Sequence, residues 1–103
     1  MATSFRLKID PRERQVARFM GDVERAFQRA FVAAKKERKL TQQQIAVMLG
    51  VDRSAINRRL LGRENMTQRS LAEMAWAMGY DVEFKLVPRG SLNAADEHKI
   101  AAE

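Results

Sequence analysis

Apolar residues recur at helical spacing through most of this chain, and they alternate with charged residues only near its two ends. Between Pro11 and Lys39 they follow one another at steps of three or four, a pattern that predicts one helix with a single apolar face. A helix of about 27 residues is roughly 40 Å long, which is more than one small core covers. We therefore expect its first half to pack on another protomer or on a terminal strand. The apolar face consists of Val16, Met20, Val23, Phe27, Ala30 and Ala34.

Cap residues predict where four helices begin and end. Asp10 and Pro11 suit the start of the long helix, and Glu13 completes the spacing of a capping box. Three shorter helices follow, each with a polar residue before it and a glycine after it. They are predicted at 42–49 between Thr41 and Gly50, at 53–61 between Asp52 and Gly62, and at 68–78 between Thr67 and Gly79.

Strict alternation of apolar and charged residues predicts a short strand at each end of the helical region. The first lies within residues 1–10 and the second within residues 80–88, and a tail over residues 89–103 is expected to be flexible. Strands this short are unstable alone, so we expect the two to pair across a homodimer, with the basic residues of one facing the acidic residues of the other. The predicted dimerisation residues are Phe5, Leu7, Tyr80, Val82, Phe84 and Leu86.

Residues 41–61 have the pattern of two helices joined by a tight turn. The small residue Ala46 lies four positions before Gly50, so the second helix can approach the first at a steep angle, and the glycine provides the positive φ of the turn. The outward face of the second helix carries side chains of the types that bind base edges and phosphates. These side chains are Arg53, Ser54, Asn57 and Arg58.

This stretch resembles the Xre-type helix-turn-helix family, the class of phage repressors and Cro proteins. The resemblance covers about residues 22–80 and depends on the combination of several motif positions rather than on one. It implies a mainly α fold, a lambda-repressor-like bundle of four to five helices over residues 11–79, here with short N- and C-terminal β-strands. The matching positions are Leu40-Thr41-Gln42, Ala46, Leu49-Gly50-Val51, Ser54, Ile56 and Gly62, then Leu71, Ala72, Ala75, Met78 and Gly79.

Two positions depart from the pattern of that family. Arg59 stands where an apolar residue is usual, so we expect Leu60 to take the buried role in its place. The loop from Gly62 to Thr67 lacks the proline that is common there, and Asn65 with Thr67 offers an alternative cap.

The resemblance also implies which side chains meet DNA. Arg53 takes a position where a bidentate contact to guanine is chemically natural, and Ser54 and Arg58 share its exposed face as further base contacts. Gln42 matches the family's phosphate-contacting glutamine, and it lies at a helix N-terminus whose backbone N–H groups favour an anion. Further contacts to the DNA backbone are expected from Gln43, Asn57, Arg63 and Asn65.

Charge is unevenly distributed along the 103 residues, whose formal net charge is +6. Residues 1–40 carry +6, residues 41–70 carry +3 and residues 71–103 carry −3. A basic front with an acidic back fits a protein that lays one face on a polyanion. A basic amphipathic helix can instead lie on a membrane surface, but Asp22, Glu24 and Glu37 interrupt the basic face, so no membrane partner is expected.

The chain is poorly equipped for catalysis. It has no cysteine and a single histidine, His98, which excludes disulfides, thiolate metal sites and a cysteine nucleophile. Its carboxylates are not accompanied by a histidine or a metal-ligand cluster, so we expect no enzyme activity, no cofactor and no metal site. It also lacks both a long apolar stretch and the apolar run of a secretory signal, so a cytoplasmic location is expected.

The sequence therefore favours a sequence-specific regulator of transcription, a repressor that binds double-stranded DNA as a dimer on a palindromic operator. Two alternatives stay open. One is the antitoxin of a toxin–antitoxin pair, which binds a toxin protein as well as its own promoter. The other is a protein-interaction adaptor that uses the helix-turn-helix as a scaffold, although such an adaptor should lack the exposed polar residues that this chain retains at Gln42, Arg53, Ser54 and Arg58.

Overall fold

The computed structural model describes residues 10–90, and this part of the chain contains four α-helices and no strand. The mainly helical prediction is confirmed, with the helix count at the lower end of the expected four to five. Each of the three short helices begins at the predicted residue, and the second of them ends one residue early, before Leu61. The helices are α1 (Pro11–Arg38), α2 (Gln42–Leu49), α3 (Arg53–Leu60) and α4 (Gln68–Met78).

The long helix α1 packs into the core through its second half. Its 28 residues begin after Asp10, whose carboxylate accepts a hydrogen bond from the backbone N–H of Arg12, 2.9 Å away. In the second half Ala34 is buried, and Phe27 and Phe31 pack against the core. In the first half Val16, Phe19 and Met20 are exposed. No helix within residues 10–90 is long and apolar enough to cross a membrane.

Local structure defines both ends of α2, and the turn to α3 follows its second end. Thr41 and Gln44 form a reciprocal capping box, in which Thr41 Oγ1 accepts from the Gln44 N–H at 3.1 Å and Gln44 Oε1 accepts from the Thr41 N–H at 2.9 Å. At the other end Gly50 has a φ of +67°, which side chains with a Cβ resist. The chain then turns sharply, and the Val51 N–H donates back to the carbonyl of Ala46 at 3.0 Å.

The core lies where α2 crosses both α3 and α4, and α1 covers one side of it. Ile45 of α2, Ile56 of α3, and Met74 and Met78 of α4 have no exposed surface. Full burial of one such side chain contributes about 1.5–3 kcal/mol, so these four fix the angle between the helices. Leu60 is also buried, as expected from the departure at Arg59.

The predicted strand over residues 80–88 is wrong. This segment has no regular secondary structure, and after the Tyr80 N–H donates to the Ala75 carbonyl it passes α1 near Phe19 and Val23. An alternating pattern gives a strand only when another strand accepts its hydrogen bonds, and residues 10–90 provide none. The predicted strand at Phe5, Leu7 and Ile9 lies outside the described residues, as does the tail after Gly90.

Two of the predicted caps differ in detail. Asp10 accepts from Arg12 rather than forming a reciprocal capping box with Glu13. Asp52 occupies the N-cap position of α3 with an extended backbone, but its side chain makes no cap hydrogen bond. Instead its carbonyl oxygen accepts from the backbone N–H groups of Ala55 and Ile56. The cap predicted at Thr67 is confirmed, since its hydroxyl accepts from the Ser70 N–H at 3.0 Å.

Candidate nucleic-acid interface

Five polar residues from α2 and α3 line one shallow depression on the surface of the molecule. Burial of Ile56 and Leu60 fixes the rotation of α3, because these two residues are four apart and turn one stripe of the helix inward. The opposite face of α3 is therefore directed to solvent. The residues along the depression are Gln42, Arg53, Ser54, Asn57 and Arg58.

A hydrogen bond joins the two helices within this depression. The side-chain amide of Asn57 donates to Gln42 Oε1 at 3.4 Å. Gln42 is the first residue of α2, so it lies beside the backbone N–H groups that have no partner within the helix. The bond leaves the Gln42 amide N–H groups free to donate outward, and a phosphate oxygen is a suitable acceptor for them.

Arg58 is held at both ends of its guanidinium group. Its Nε donates to Glu64 Oε1 at 3.3 Å, and its Nη1 donates to Ser54 Oγ at 3.5 Å. The second oxygen of Glu64 accepts from Arg59 Nε at 3.2 Å. Hydrogen bonding and charge from Arg59, and then from Arg58, lower the pKa of Glu64, while partial burial opposes them.

Glu64 is a residue of this site that sequence reasoning missed. It follows α3 in the loop, five residues after Arg59 and six after Arg58, so its distance along the chain is not that of a helical ion pair. Only the turn of the chain at Gly62 brings its carboxylate back onto the end of α3. The signal available in the sequence was that Glu64 is the single acid among several arginines, and this pattern does not show which arginine it binds.

The model of the helix-turn-helix family matches residues 33–84, which is half of the chain. The chain belongs to the helix-turn-helix family. The family consists of DNA-binding regulators, and the match contains the whole of α2, α3 and α4 together with all five residues of the depression. No curated protein and no solved structure matches the chain significantly.

The other residues predicted to contact the DNA backbone lie in three places on this helix-turn-helix. Gln43 is exposed beside Gln42, next to a second depression that also includes Lys35 of α1. Arg63 is exposed in the loop after α3. Asn65 lies with Glu24 along a separate pocket between α1 and that loop, so the structure does not bring it together with the five residues of the depression on α2 and α3.

Lys35 is a second residue that sequence reasoning missed. It lies in the last turn of α1 and lines the same depression as Arg53 and Gln43. In the sequence it belongs to a mostly basic stretch from Lys35 to Lys39, interrupted by Glu37. The sequence alone does not show which of these side chains lies near α3 and which is only solvated. Lys35 lies near Arg53 because of the position of α1 beside α3.

Three of the residues predicted for dimerisation line a separate apolar groove beside α1. Tyr80, Val82 and Phe84 approach α1 near Phe19 and Val23, and Met78 of α4 contributes to the floor. The acids Asp22, Asp81 and Glu83 lie along its edges. Leu86 is 84% exposed and does not line the groove, and Phe5 and Leu7 lie outside the described residues.

Proposed function

We propose that this protein is a sequence-specific repressor of transcription that inserts α3 into the major groove of double-stranded DNA. The observation that carries the proposal is the exposed face of α3, where four polar side chains line one depression with Gln42 at its edge. Helix-turn-helix proteins place the second helix of the motif in the major groove, which is wide enough to admit it.

The side chains proposed to read bases are Arg53, Ser54 and Arg58. Arg53 is the first residue of α3, so its long side chain extends from the end of the helix that enters the groove first. An arginine makes two hydrogen bonds to the O6 and N7 atoms of guanine, and no other base pair presents this pair of acceptors in the same position. Ser54 and Arg58 lie one turn apart on the same face.

The contacts proposed to the DNA backbone come from residues around the base of α3. Gln42 and Asn57 lie at the junction of α2 and α3, Gln43 is exposed next to Gln42, and Arg63 is exposed in the loop after α3. Contacts of this kind set the register of the helix in the groove and supply affinity without sequence preference. Asn65 is the weakest member of the proposed set, because it lies along the pocket beside Glu24.

We also propose that the protein binds a palindromic operator as a homodimer. One helix-turn-helix reads only a few base pairs, and two of them reach successive major grooves when they are about 34 Å apart. The exposed apolar residues on the first half of α1, together with Tyr80, Val82 and Phe84, supply a surface that a second copy can cover. Leu86 lies just beyond this groove, and Phe5 and Leu7 remain proposed members of the same interface.

The antitoxin hypothesis requires a surface for a second protein, and the acid-edged groove is the observation that favours it as the alternative. A toxin that used this groove would compete with a second copy of the chain for Tyr80 and Phe84. The two hypotheses therefore differ in the composition of the complex, while both retain DNA binding through α3.

The test is a selection of duplexes from a random library by the purified protein, followed by sequencing of those retained. The proposal predicts an enriched sequence with two inverted half-sites whose centres are one helical turn apart, about 10 base pairs. An Arg53→Ala variant carried through the same selection should enrich a sequence with at least one position relaxed in each half-site. Recovery of duplexes without a shared sequence would contradict sequence-specific binding.

A further inference from the structure

The contacts of Glu64 suggest a role for a residue that touches no base itself. We propose that Glu64 determines specificity in two ways. It holds the Arg58 guanidinium in a direction for base contact, and it offsets the charge of Arg58, which weakens binding to DNA of random sequence. This inference rests on the proposed function, since it concerns how α3 discriminates between DNA sequences.

One end of the arrangement is fixed to the body of the protein. The Arg59 side chain is only 11% exposed, and its Nε donates to Glu64 Oε2 at 3.2 Å. A side chain enclosed in this way has few rotamers to choose from, so the carboxylate that it binds is also held in one place. The buried Nη1 of Arg59 has no hydrogen-bond partner, which leaves the bond from Nε to Glu64 as the contact that compensates its charge.

The other end of the arrangement faces solvent. Arg58 is 52% exposed, and an exposed arginine without partners samples many rotamers. Here Glu64 Oε1 binds Nε from the loop side, while Ser54 Oγ accepts from Nη1 on the preceding turn of α3. The guanidinium plane therefore lies between two fixed acceptors, and the N–H groups that remain unbonded keep one direction.

The carboxylate of Glu64 should affect binding to the operator and binding to random DNA differently. Binding to random DNA depends on positive side chains that follow the phosphates, whereas reading a base needs donors in a fixed position. A carboxylate beside Arg58 weakens the first interaction, because it offsets the charge and limits the reach of the side chain. It favours the second, because the ordering of the side chain is complete before DNA arrives.

The decisive experiment compares Glu64→Gln with Glu73→Gln on full-length protein. Both variants lose one negative charge next to an arginine, but Glu73 lies on α4, 3.9 Å from Arg69 and away from Arg58. Dissociation constants are measured for the selected operator and for a random duplex at several salt concentrations. Glu64→Gln should reduce the ratio of operator affinity to random affinity by about fivefold or more, which corresponds to about 1 kcal/mol of discrimination.

The salt dependence provides a readout that a purely structural role of Glu64 does not change. Release of Arg58 should add about one phosphate contact, so the plot of log K against log salt for random DNA should steepen by about 0.9 in Glu64→Gln. In an Arg58→Gln background the same change at Glu64 should leave that slope as it was. An unchanged affinity ratio, or equal effects of Glu64→Gln and Glu73→Gln, would overturn the proposal.

A second variant keeps the test valid if Glu64→Gln unfolds the protein. Arg58→Gln leaves the Arg59–Glu64 pair in place. The proposal predicts that this variant lowers operator affinity strongly but lowers affinity for random DNA less than threefold, because in the wild type Glu64 already offsets the charge of Arg58. Equal losses on both DNAs would overturn the role of Glu64. If the wild-type chain binds all duplexes alike, the proposed function fails instead, and that result is visible before any variant is made.

Discussion

The side-chain amide of Asn57 on α3 donates to Gln42 Oε1 on α2, at 3.4 Å, across the junction of the two helices. Because the oxygen of Gln42 is turned toward Asn57, its amide nitrogen is turned away, and two N–H donors face outward at the N-terminus of α2. The arrangement orients Gln42 for the phosphate contact proposed above before any DNA is present. It also ties the position of the proposed backbone contact to the position of α3.

Gln42 and Arg53 should therefore respond differently to truncation. Arg53→Ala should weaken operator binding by about 1–3 kcal/mol and relax the preference at one base pair of each half-site. Gln42→Ala should weaken binding to all sequences by a similar factor, since a phosphate contact carries no sequence information. Dissociation constants for the operator, single-base variants and a random duplex check this prediction. Equal loss on all duplexes for Arg53→Ala would reassign that residue to the DNA backbone.

Replacement by alanine should have opposite effects at Gly50, in the turn after α2, and at Gly21, within α1. Gly50 has a φ of +67° and no atom within 4 Å of the place a Cβ would take, so Gly50→Ala should destabilise the protein by about 1 kcal/mol through backbone conformation alone. Gly21 lies within α1, where alanine is favoured by about 0.5–1 kcal/mol. Its nearest neighbour is the flexible end of Arg25, 3.2 Å away, which can shift. Urea denaturation measures both free energies of unfolding, and stabilisation by Gly50→Ala would contradict the prediction.

The lowered pKa of Glu64 predicts an acid-dependent loss of stability. Because the pKa in the folded protein lies below the ordinary value of 4.5, ionised Glu64 stabilises the fold above that pH. The contribution is lost as the pH falls from 4.5 through the lowered pKa, where the carboxyl takes up a proton and resembles glutamine. The free energy of unfolding of the wild type should thus exceed that of Glu64→Gln at neutral pH, and the two should converge as the pH falls below the lowered pKa. A difference that stays constant over this range would contradict the role assigned to the pair with Arg59.

The exposed apolar surface of α1 predicts the effect of a charge placed within it. Phe19, which lines the groove, is 55% exposed, and Val32, on a different face of the same helix, is 64% exposed. If the proposed homodimer forms through this groove, Phe19→Glu should convert it to a monomer and weaken operator binding, because a carboxylate would have to be buried between the two copies. Val32→Glu is the matched control and should remain dimeric.

Sedimentation equilibrium distinguishes the two variants of α1. A wild type that sediments as a monomer, or a Phe19→Glu variant that stays dimeric, would remove the groove from the interface. Loss of the dimer in both variants would indicate a general effect of charge on α1 rather than a contact at Phe19.

The positions of the helices could be predicted from the sequence because their ends are determined locally. Thr41, Gly50 and Thr67 act on residues within one turn, and the chain shows them directly. The burial of Leu60 was equally accessible, because it lies four residues after the buried Ile56 at helical spacing. The sequence did not show that the neighbouring Arg59 side chain is also enclosed, with only 11% of it exposed.

The failures of the sequence reading concern contacts between distant segments. The alternation over residues 80–88 predicted a strand that the structure does not contain, because whether such a segment becomes a strand depends on a partner that the pattern cannot identify. Glu64 reaches Arg58 only because the loop after α3 turns back, and Lys35 lies near Arg53 only because α1 lies beside α3. Such placement follows from the packing of whole helices and not from any short motif.

The central claim is that α3 discriminates between DNA sequences, and the direct measurement is the affinity of the wild-type protein for its selected operator against a duplex of the same length and scrambled sequence. At physiological salt the account predicts an operator bound at least about 10³-fold more tightly. Equal affinity for the two duplexes, with both losing affinity alike as salt rises, would contradict it.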